Sequence, residues 1–335
     1  MKGFIYHGPG NITLEELELQ KCGDNDVILK NLAAGVCGSD VSAYKHDGDS
    51  VYIFKEHEFG HEMVSEVVEV GKNVEGLVVG DRVYPFPTLC KGDYMRAATV
   101  GGFSEYVHVP NCKLGMSVFK VDDAISNKAA AMIEPFTVGG HSAKICNPGP
   151  GKNAVVIGAG IIGISAAITL KYMGCDKVMV LNRSTYRLEK AAALGFETCS
   201  PAQEDFATKA KAVFGSAFSM MGEVPNVDIY IDATGSEDAL NMFFANAKPG
   251  AILSIVGVHH EPRTFNPILL TYGSLEMKGS AGYDMEDVAV AMDIMKSGQF
   301  DIESLVSHEF ALEDLEEAIK TSANSSISEK VMIVY

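Results

Sequence analysis

The sequence AVVIGAGIIGISAAITLKYMG at residues 154–174 decides how the second half of the chain folds. Its apolar start, Ala154–Ile157, predicts a buried strand, and a helix is expected from about Ile162 until Gly174 ends it. Between them lies GAGIIG at 158–163, whose first glycine permits a tight turn, the second close approach of a pyrophosphate, and the third packing of helix on strand. Because phosphates bind at such a helix N-terminus, this stretch predicts a dinucleotide site.

Strand and helix patterns alternate after this motif. Apolar strand patterns recur at 178–181, 228–232, 251–256 and 275–278. Helix patterns lie between them at 186–194 and from the N-cap residue Ser236 to 247. Continuous apolar strands that alternate with helices predict an α/β domain with a doubly wound, parallel Rossmann sheet.

The first part of the chain is instead rich in valine and turn residues, which predicts an irregular β-rich domain. Its strand patterns lie at 27–32, 63–70, 81–84 and 103–109. The texture changes at NPGPG, residues 147–151, and a last strand at 331–334 is expected to return to the first domain. We therefore expect a β-rich catalytic domain over 1–142 and 285–335, and a Rossmann domain over 143–284.

Composition excludes several classes of function. The 335 residues include 27 Lys+Arg and 44 Asp+Glu, a net charge of −17, which disfavours nucleic acid and anionic membranes as partners. The N-terminus lacks the apolar segment of a signal peptide. Seven scattered cysteines without a CxxC motif indicate a reducing compartment, so we expect a cytoplasmic protein.

The residues after the second Rossmann strand bear on which nucleotide binds. An NAD site normally has an acid about 20 residues after the glycine motif, but here Asn182 lies 19 residues after Gly163. Arg183, Ser184 and Arg187 follow it. Guanidinium groups match phosphate geometry, so we expect NADP(H) to be preferred, with NAD(H) as the alternative. In the simpler interpretation, the two arginines are solvated charges at a helix start.

Two motifs in the first domain suggest metal chemistry. HEFGH at 57–61 matches the metallopeptidase pattern HExxH, but that pattern needs a helix and Gly60 disfavours one. The alternative combines GVCGSD at 35–40, GHE at 60–62 and Glu134-Pro135, because cysteine, histidine and carboxylate form a zinc ligand set. Each residue alone is more simply a core or capping residue, and only the combination points to zinc.

Across nearly its whole length the chain resembles the zinc-dependent medium-chain dehydrogenases, most closely their sorbitol and polyol dehydrogenase branch. The motifs that carry the resemblance are GVCGSD at 35–40, GHE at 60–62, VGDRV at 79–83, GGFSEYV at 101–107, IEPFTVGGH at 133–141, GAGIIG at 158–163 and DATG at 232–235. The resemblance implies that the β-rich domain is the GroES-like catalytic domain of this family. It also implies a homodimer or homotetramer that acts on a small-molecule alcohol or ketone.

The resemblance further implies roles for individual residues. Cys37, His61 and a glutamate would hold the catalytic zinc, the glutamate being Glu62 or Glu134. Neighbours in a strand point to opposite faces, so Glu62 and His61 can share a metal only if the backbone bends there. The residues expected to bind the dinucleotide are Gly158, Gly160, Ile162, Gly163, Asn182, Arg183, Ser184, Arg187, Thr234, Val256, Gly257, Val258, Ser280, Ala281 and Gly282.

Three departures from the family pattern change these expectations. The segment between Tyr84 and Gly101 holds only Cys90 instead of four cysteines, so we expect one catalytic zinc and no structural zinc. Ser42 replaces the histidine that often ends the proton relay. Gly282 replaces an arginine that the polyol branch often carries, so recognition of substrate hydroxyls should differ.

We therefore expect a zinc-dependent oxidoreductase that transfers hydride between NADP(H) and a polyol, sugar derivative or other small secondary alcohol or ketone. Ser39 would accept the alcohol proton first, and water, His46 or His57 would end the relay. The residues expected to line the substrate cleft are Ser39, Tyr44, Phe59, Tyr94, Arg96, Tyr106, Glu134 and Tyr283. The alternatives are a zinc-free NADPH enone or quinone reductase on the same fold, the HExxH metallopeptidase, and a non-catalytic nucleotide-binding protein.

Overall fold

The computed structural model describes residues 1–220, 222–259 and 261–335. The chain forms two compact units. Unit 1 comprises Met1–Glu134 and Met295–Tyr335, and unit 2 comprises Pro135–Ile294.

Over the described ranges, the strands in chain order are β1 Lys2–Gly8, β2 Asn11–Glu16, β3 Val27–Gly35, β4 His57–Glu58, β5 Glu62–Val70, β6 Arg82–Pro85, β7 Tyr106–Val109, β8 Val118–Lys120, β9 Asn153–Ile157, β10 Lys177–Leu181, β11 Glu197–Cys199, β12 Ser216–Ser219, β13 Gly222–Pro225, β14 Ile229–Asp232, β15 Ile252–Ile255, β16 Glu276–Gly279, β17 Val306–Phe310 and β18 Lys330–Val334. The α-helices are α1 Gly38–Lys45, α2 Pro87–Cys90, α3 Asn127–Ala131, α4 Ile133–Lys144, α5 Ile161–Tyr172, α6 Thr185–Ala193, α7 Phe206–Phe214, α8 Glu237–Asn246, α9 Ile268–Gly273, α10 Met285–Ser297 and α11 Leu315–Ser322. None of the helices in these ranges has the length and apolar character of a membrane span.

Both divisions between the units fall inside helices, α4 and α10, about ten residues from the positions that the sequence suggests. Packing explains the shift at α4. A Cβ atom on Gly139 would lie 2.8 Å from Cβ of Ser165, so α4 packs closely on α5 and most of it belongs to unit 2. Composition marks loops such as 147–151, whereas packing decides which unit a helix joins.

Unit 2 is built on a parallel sheet with the strand order β11-β10-β9-β14-β15-β16. This is the dinucleotide-binding order, in which the ligand lies at the carboxyl ends of the strands where the order reverses. The strands β9, β10 and β14 are almost entirely buried, which explains their continuous apolar sequences. The predicted α/β class with a doubly wound parallel sheet is confirmed.

Unit 1 contains a mostly antiparallel sheet, β17-β18-β3-β5-β6-β8, to which β7 adds by pairing with β3, and a small sheet, β2-β1-β4. The C-terminal strand β18 pairs with β3, with Met332 opposite Gly35, so the last strand does return to the first domain. Val27, Leu29, Met63 and Val67 on the paired strands β3 and β5 belong to one core. That pairing places the ends of β3 and β5 side by side.

Candidate metal centre and nucleotide site

The pairing of β3 with β5 brings Cys37 and His61 together across 24 residues of sequence. Gly35 at the end of β3 lies opposite Glu62 at the start of β5. Cys37 follows β3 and forms the N-cap of α1, and its backbone N–H donates to Oδ2 of Asp40 at 2.8 Å. That bond fixes the turn between β3 and α1 beside the start of β5.

Gly60 provides the bend that two neighbouring ligands require. Its φ is +87°, and a Cβ atom there would lie 2.8 Å from the ring of Phe103. A residue with a side chain would therefore be strained and would clash. Because the bend precedes the strand, His61 and Glu62 can both turn toward Cys37.

The donor set of Cys37, His61 and Glu62 fits a zinc ion. One ligand atom from each lies within 4.8 Å of the others, which suits a single ion with bonds of about 2.0–2.3 Å. Thiolate, imidazole and carboxylate are all zinc ligands. Glu134 lies outside this group but close enough to act electrostatically on His61.

Charge and burial act strongly on these side chains. Burial lowers the pKa of His61, but Cys37, Glu134 and Asp40 raise it, and the result is well above its ordinary value. Burial raises the pKa of Asp40 to about 6, against the opposing effect of His61. Negative groups thus surround the His61 imidazole, and this setting favours binding of a cation.

Lys330 is a component of this site that no sequence motif indicates. Its side chain is 2% exposed, forms an ion pair with Oε2 of Glu62, and donates to the Val36 carbonyl at 3.0 Å. Burial lowers the pKa of Lys330, but the negative charges of Glu62 and Cys37 raise it by more, so the net shift is upward. The only feature of the sequence that points to Lys330 is the expected return of the last strand to the first domain.

Three buried polar atoms near Cys37 have no hydrogen-bond partner within the described residues: Oγ of Ser39, Oδ1 of Asp40 and Nδ1 of His61. Native proteins rarely leave such atoms unsatisfied without a bound ligand or water. The suggested relay ends lie elsewhere: His46 is exposed at the end of α1, and exposed His57 contacts the Lys55 carbonyl with Nδ1.

The prediction that Phe59 lines the substrate cleft is wrong. Its side chain is 1% exposed and packs edge-on against Tyr6 and Phe103 in the core of unit 1. Tyr44 donates its hydroxyl to Glu316 at 2.6 Å.

The other cleft candidates come from both units. Tyr94 is exposed, while Arg96 and Tyr106 line a separate cavity of about 180 Å³. Tyr283 follows β16 in unit 2.

The described residues contain one further group of possible metal ligands, His141, Asp284 and Asp287. Lys144 already contacts Oδ1 of Asp287 at 2.7 Å and His141 contacts Oδ2 at 2.7 Å, so this group is an ion-pair cluster. Cys90 is fully buried, and burial raises the pKa of its thiol to about 12, so it is a core residue. Neither feature resembles a structural zinc site.

The helix that a metallopeptidase HExxH motif needs is not formed in this described stretch. His57 and Glu58 form β4, which pairs with β1, and Glu62 begins β5. A strand and a glycine bend do not place His57 and His61 on one helical face, so this alternative is wrong.

In unit 2 the GAGIIG glycines have the geometry that their spacing predicts. Gly158 follows β9 with φ +107°, and a Cβ atom there would lie 2.9 Å from the Thr234 side chain. Gly160 is the N-cap of α5, and a Cβ on Gly163 would overlap the Gly158 carbonyl. Ile162 lies in the first turn of α5, where backbone N–H groups are available to phosphate.

A cavity of about 230 Å³ adjoins this turn. Its lining residues are Ile157, Gly158, Leu181, Asn182, Arg183, Pro201, Thr234, Ser236, Asp238, Ala239 and Met242. The predicted residues Asn182 and Arg183 are thus present. Asp238 is an exposed acid in the first turn of α8. Motif spacing does not predict its place in this cavity, because it lies far along the sequence from Asn182 and Arg183.

The other predicted residues of this edge take more local roles. The Ser184 hydroxyl caps α6, and the backbone N–H of Ser184 donates to Asn182 Oδ1 at 2.8 Å. The Arg187 guanidinium lies near Gly160, so it covers the phosphate turn.

The remaining predicted cofactor residues also lie at carboxyl ends of strands. Thr234 follows β14, the segment 256–258 follows β15, and Ser280, Ala281 and Gly282 follow β16. The Ser280 hydroxyl is buried with no partner among the described residues.

Comparison with known proteins agrees with this architecture. Residues 23–123 match the model of the alcohol dehydrogenase GroES-like domain, and residues 162–297 match that of the zinc-binding dehydrogenase. Sorbitol dehydrogenase of Rattus norvegicus is 31% identical, covering 98% of this chain and 94% of that protein.

Solved structures agree as well. 2R,3R-butanediol dehydrogenase from Bacillus subtilis has a TM-score of 0.86 at 26% identity, covering 100% of this chain and 99% of that one. An alcohol dehydrogenase of Escherichia coli CFT073, solved with NADH, has a TM-score of 0.84 at 26% identity, covering 100% and 99%. The chain therefore belongs to the zinc-type medium-chain dehydrogenase/reductase family of oxidoreductases, in its polyol-dehydrogenase-like branch.

Proposed function

We propose that this protein is a zinc-dependent, NADP(H)-preferring dehydrogenase of a small polyol, sugar derivative or other secondary alcohol. The observation that carries the proposal is the convergence of Cys37, His61 and Glu62 donors within 4.8 Å in unit 1. A zinc-free enone or quinone reductase would have no need of this donor set. The relatives named for sorbitol and butanediol support a small polyol as substrate.

The residues of unit 1 supply the metal site and the first proton acceptor. Zinc bound there would act as a Lewis acid that acidifies the substrate hydroxyl. The Ser39 hydroxyl is buried, has no partner among the described residues and lies two residues after Cys37, so it would accept that proton and pass its own onward. Lys330 holds Glu62 in place and balances its charge.

Unit 2 supplies the hydride carrier. The glycine turn and the N-terminus of α5 bind the pyrophosphate, and the cavity at Asn182 and Arg183 takes the adenosine half. The exposed guanidinium of Arg183 favours a ribose 2′-phosphate, while Asp238 in the same cavity opposes it. We place NADP(H) first because no acid follows β10, where an NAD site carries one.

Arg183→Ala tests the nucleotide preference. It removes a charge-assisted contact worth about 1.5–3 kcal/mol, so NADPH should bind about 10–100-fold more weakly with NADH little changed. Lys72→Ala, which removes an exposed charge from unit 1, is the matched control. A wild-type enzyme with the higher kcat/KM for NADH would contradict the assignment.

A panel of polyols, sugar alcohols and secondary alcohols, assayed at 340 nm with NAD⁺ and NADP⁺, tests the activity itself. We expect turnover of at least one secondary alcohol, one zinc per chain by elemental analysis, and a homodimer or homotetramer by light scattering. Turnover of enones by metal-free protein would favour the reductase alternative. Nucleotide binding without turnover of any substrate would favour the non-catalytic alternative.

A further inference from the structure

Asp232 and His259 join the loops that follow β14 and β15. Asp232 is fully buried, and its Oδ1 accepts hydrogen bonds from the backbone N–H groups of Thr234 and Gly235, at 2.8 and 3.1 Å, and from the Thr234 hydroxyl at 2.7 Å. The other oxygen, Oδ2, lies 2.8 Å from Nε2 of His259. Three donors on one oxygen and an imidazole on the other fix this carboxylate.

The bond to Asp232 defines the role of each imidazole nitrogen of His259. A carboxylate is an acceptor only, so the neutral tautomer that fits this pair carries its proton on Nε2 and presents Nδ1 as an acceptor. Nδ1 is buried and has no hydrogen-bond partner among the described residues. Buried polar atoms in native proteins are normally paired, so this one indicates a partner that binds from outside the chain.

The location of His259 indicates what that partner is. Thr234 packs against Gly158 of the phosphate turn, and the backbones of Gly235 and Val258 are in contact. The loops after β9, β14 and β15 therefore form one continuous edge of the sheet. A dinucleotide whose adenosine half lies at the end of β10 and whose pyrophosphate lies at the end of β9 extends its other half along this edge.

We propose that His259 binds the nicotinamide-ribose half of the cofactor. Its Nδ1 accepts a hydrogen bond from a ribose hydroxyl or from the carboxamide N–H, while Nε2 keeps the ring oriented on Asp232. This inference rests on the proposed function, because it requires that unit 2 binds a nicotinamide dinucleotide.

Two substitutions separate ligand binding by His259 from a purely structural latch. In His259→Gln, the amide N–H can still reach Asp232, but no acceptor replaces Nδ1. In His259→Asn, the shorter amide can present an acceptor near the Nδ1 position but cannot reach Asp232. The measurements are Kd values for NADH and NADPH by calorimetry, and the thermal midpoint of the cofactor-free protein. ADP, which lacks the nicotinamide half, serves as the control ligand.

We expect His259→Gln to weaken binding of the preferred dinucleotide about tenfold, the effect of one lost hydrogen bond. ADP affinity and the thermal midpoint of this variant should stay near wild type, and His259→Asn should bind the dinucleotide more tightly than His259→Gln. Unchanged dinucleotide affinity in His259→Gln would overturn the inference, as would an equal loss of ADP affinity. If wild-type protein binds ADP but neither dinucleotide, the proposed function fails and the inference fails with it.

Discussion

Replacing Lys330 with methionine is expected to destabilise unit 1 of the metal-free protein by about 3–5 kcal/mol, the usual cost of removing one partner of a buried ion pair. The magnitude follows from burial, since the Lys330 and Glu62 side chains are 2% and 1% exposed. Methionine fills similar space, so the loss comes from the unpaired Glu62 carboxylate and from the Val36 carbonyl, which loses its donor.

The assay is urea unfolding of EDTA-treated protein, followed by circular dichroism and by hydrogen exchange in peptides from β5. Lys320→Met is the matched control, because Lys320 is 52% exposed in its pair with Glu316 and its removal should change the stability little. Glu62→Met combined with Lys330→Met should restore most of the lost stability, because neither partner of the pair then leaves a buried charge unpaired.

Zinc should also reduce the destabilisation of Lys330→Met, because a bound cation can neutralise the same carboxylate. If metal-free Lys330→Met unfolded at the same urea concentration as Lys320→Met, the buried pair would not hold Glu62 in place.

Three further outcomes test the site. Cys37→Ser should remove the single zinc and the activity while the circular dichroism spectrum stays unchanged; two zinc ions per wild-type chain would contradict the one-site assignment. Ser39→Ala should lower kcat about 10²–10⁴-fold with zinc retained, whereas Ser42→Ala should matter little; a near-wild-type kcat where hydride transfer limits the rate would remove Ser39 from the mechanism. A thiol reagent at pH 8 should modify only Cys22 and Cys37 in native metal-free protein, and added zinc should protect Cys37. Rapid reaction of any other cysteine would contradict the burial of these thiols. The cysteines expected to react slowly are all buried: Cys90, Cys112, Cys146, Cys175 and Cys199. Burial raises the pKa of each thiol, to about 12 for Cys90 and to about 11 for Cys112, Cys146 and Cys199.

Much of the fold is readable from local sequence. The strands β9, β10 and β14, the helix α5 and the glycine turn between β9 and α5 each depend on residues within a few positions of one another. Their periodicity and glycine positions therefore predict them directly. The same holds for the N-cap at Ser236, whose hydroxyl accepts from the Ala239 N–H at 3.3 Å.

The metal site shows where prediction from residue types ends. Cysteine, histidine and glutamate in suitable motifs indicate zinc, but whether His61 and Glu62 can turn to one side depends on the bend at Gly60. That bend is recognised from its φ of +87° and its packing against Phe103, 43 residues away.

Residue types and local spacing thus determined by themselves the parallel nucleotide-binding sheet, the family resemblance and the metal-ligand candidates, with Glu62 and Glu134 both open as the carboxylate. Only the tertiary structure placed Phe59 in the core, paired Lys330 with Glu62, and aimed His259 at Asp232. Lys330 and Glu62 are 268 positions apart in the sequence, and His259 and Asp232 are 27 positions apart. Strand pairing and buried charge bring each pair together. Periodicity and motif spacing extend over only one or two helices or strands. A contact between residues on distant strands and loops therefore produces no recognisable sequence pattern.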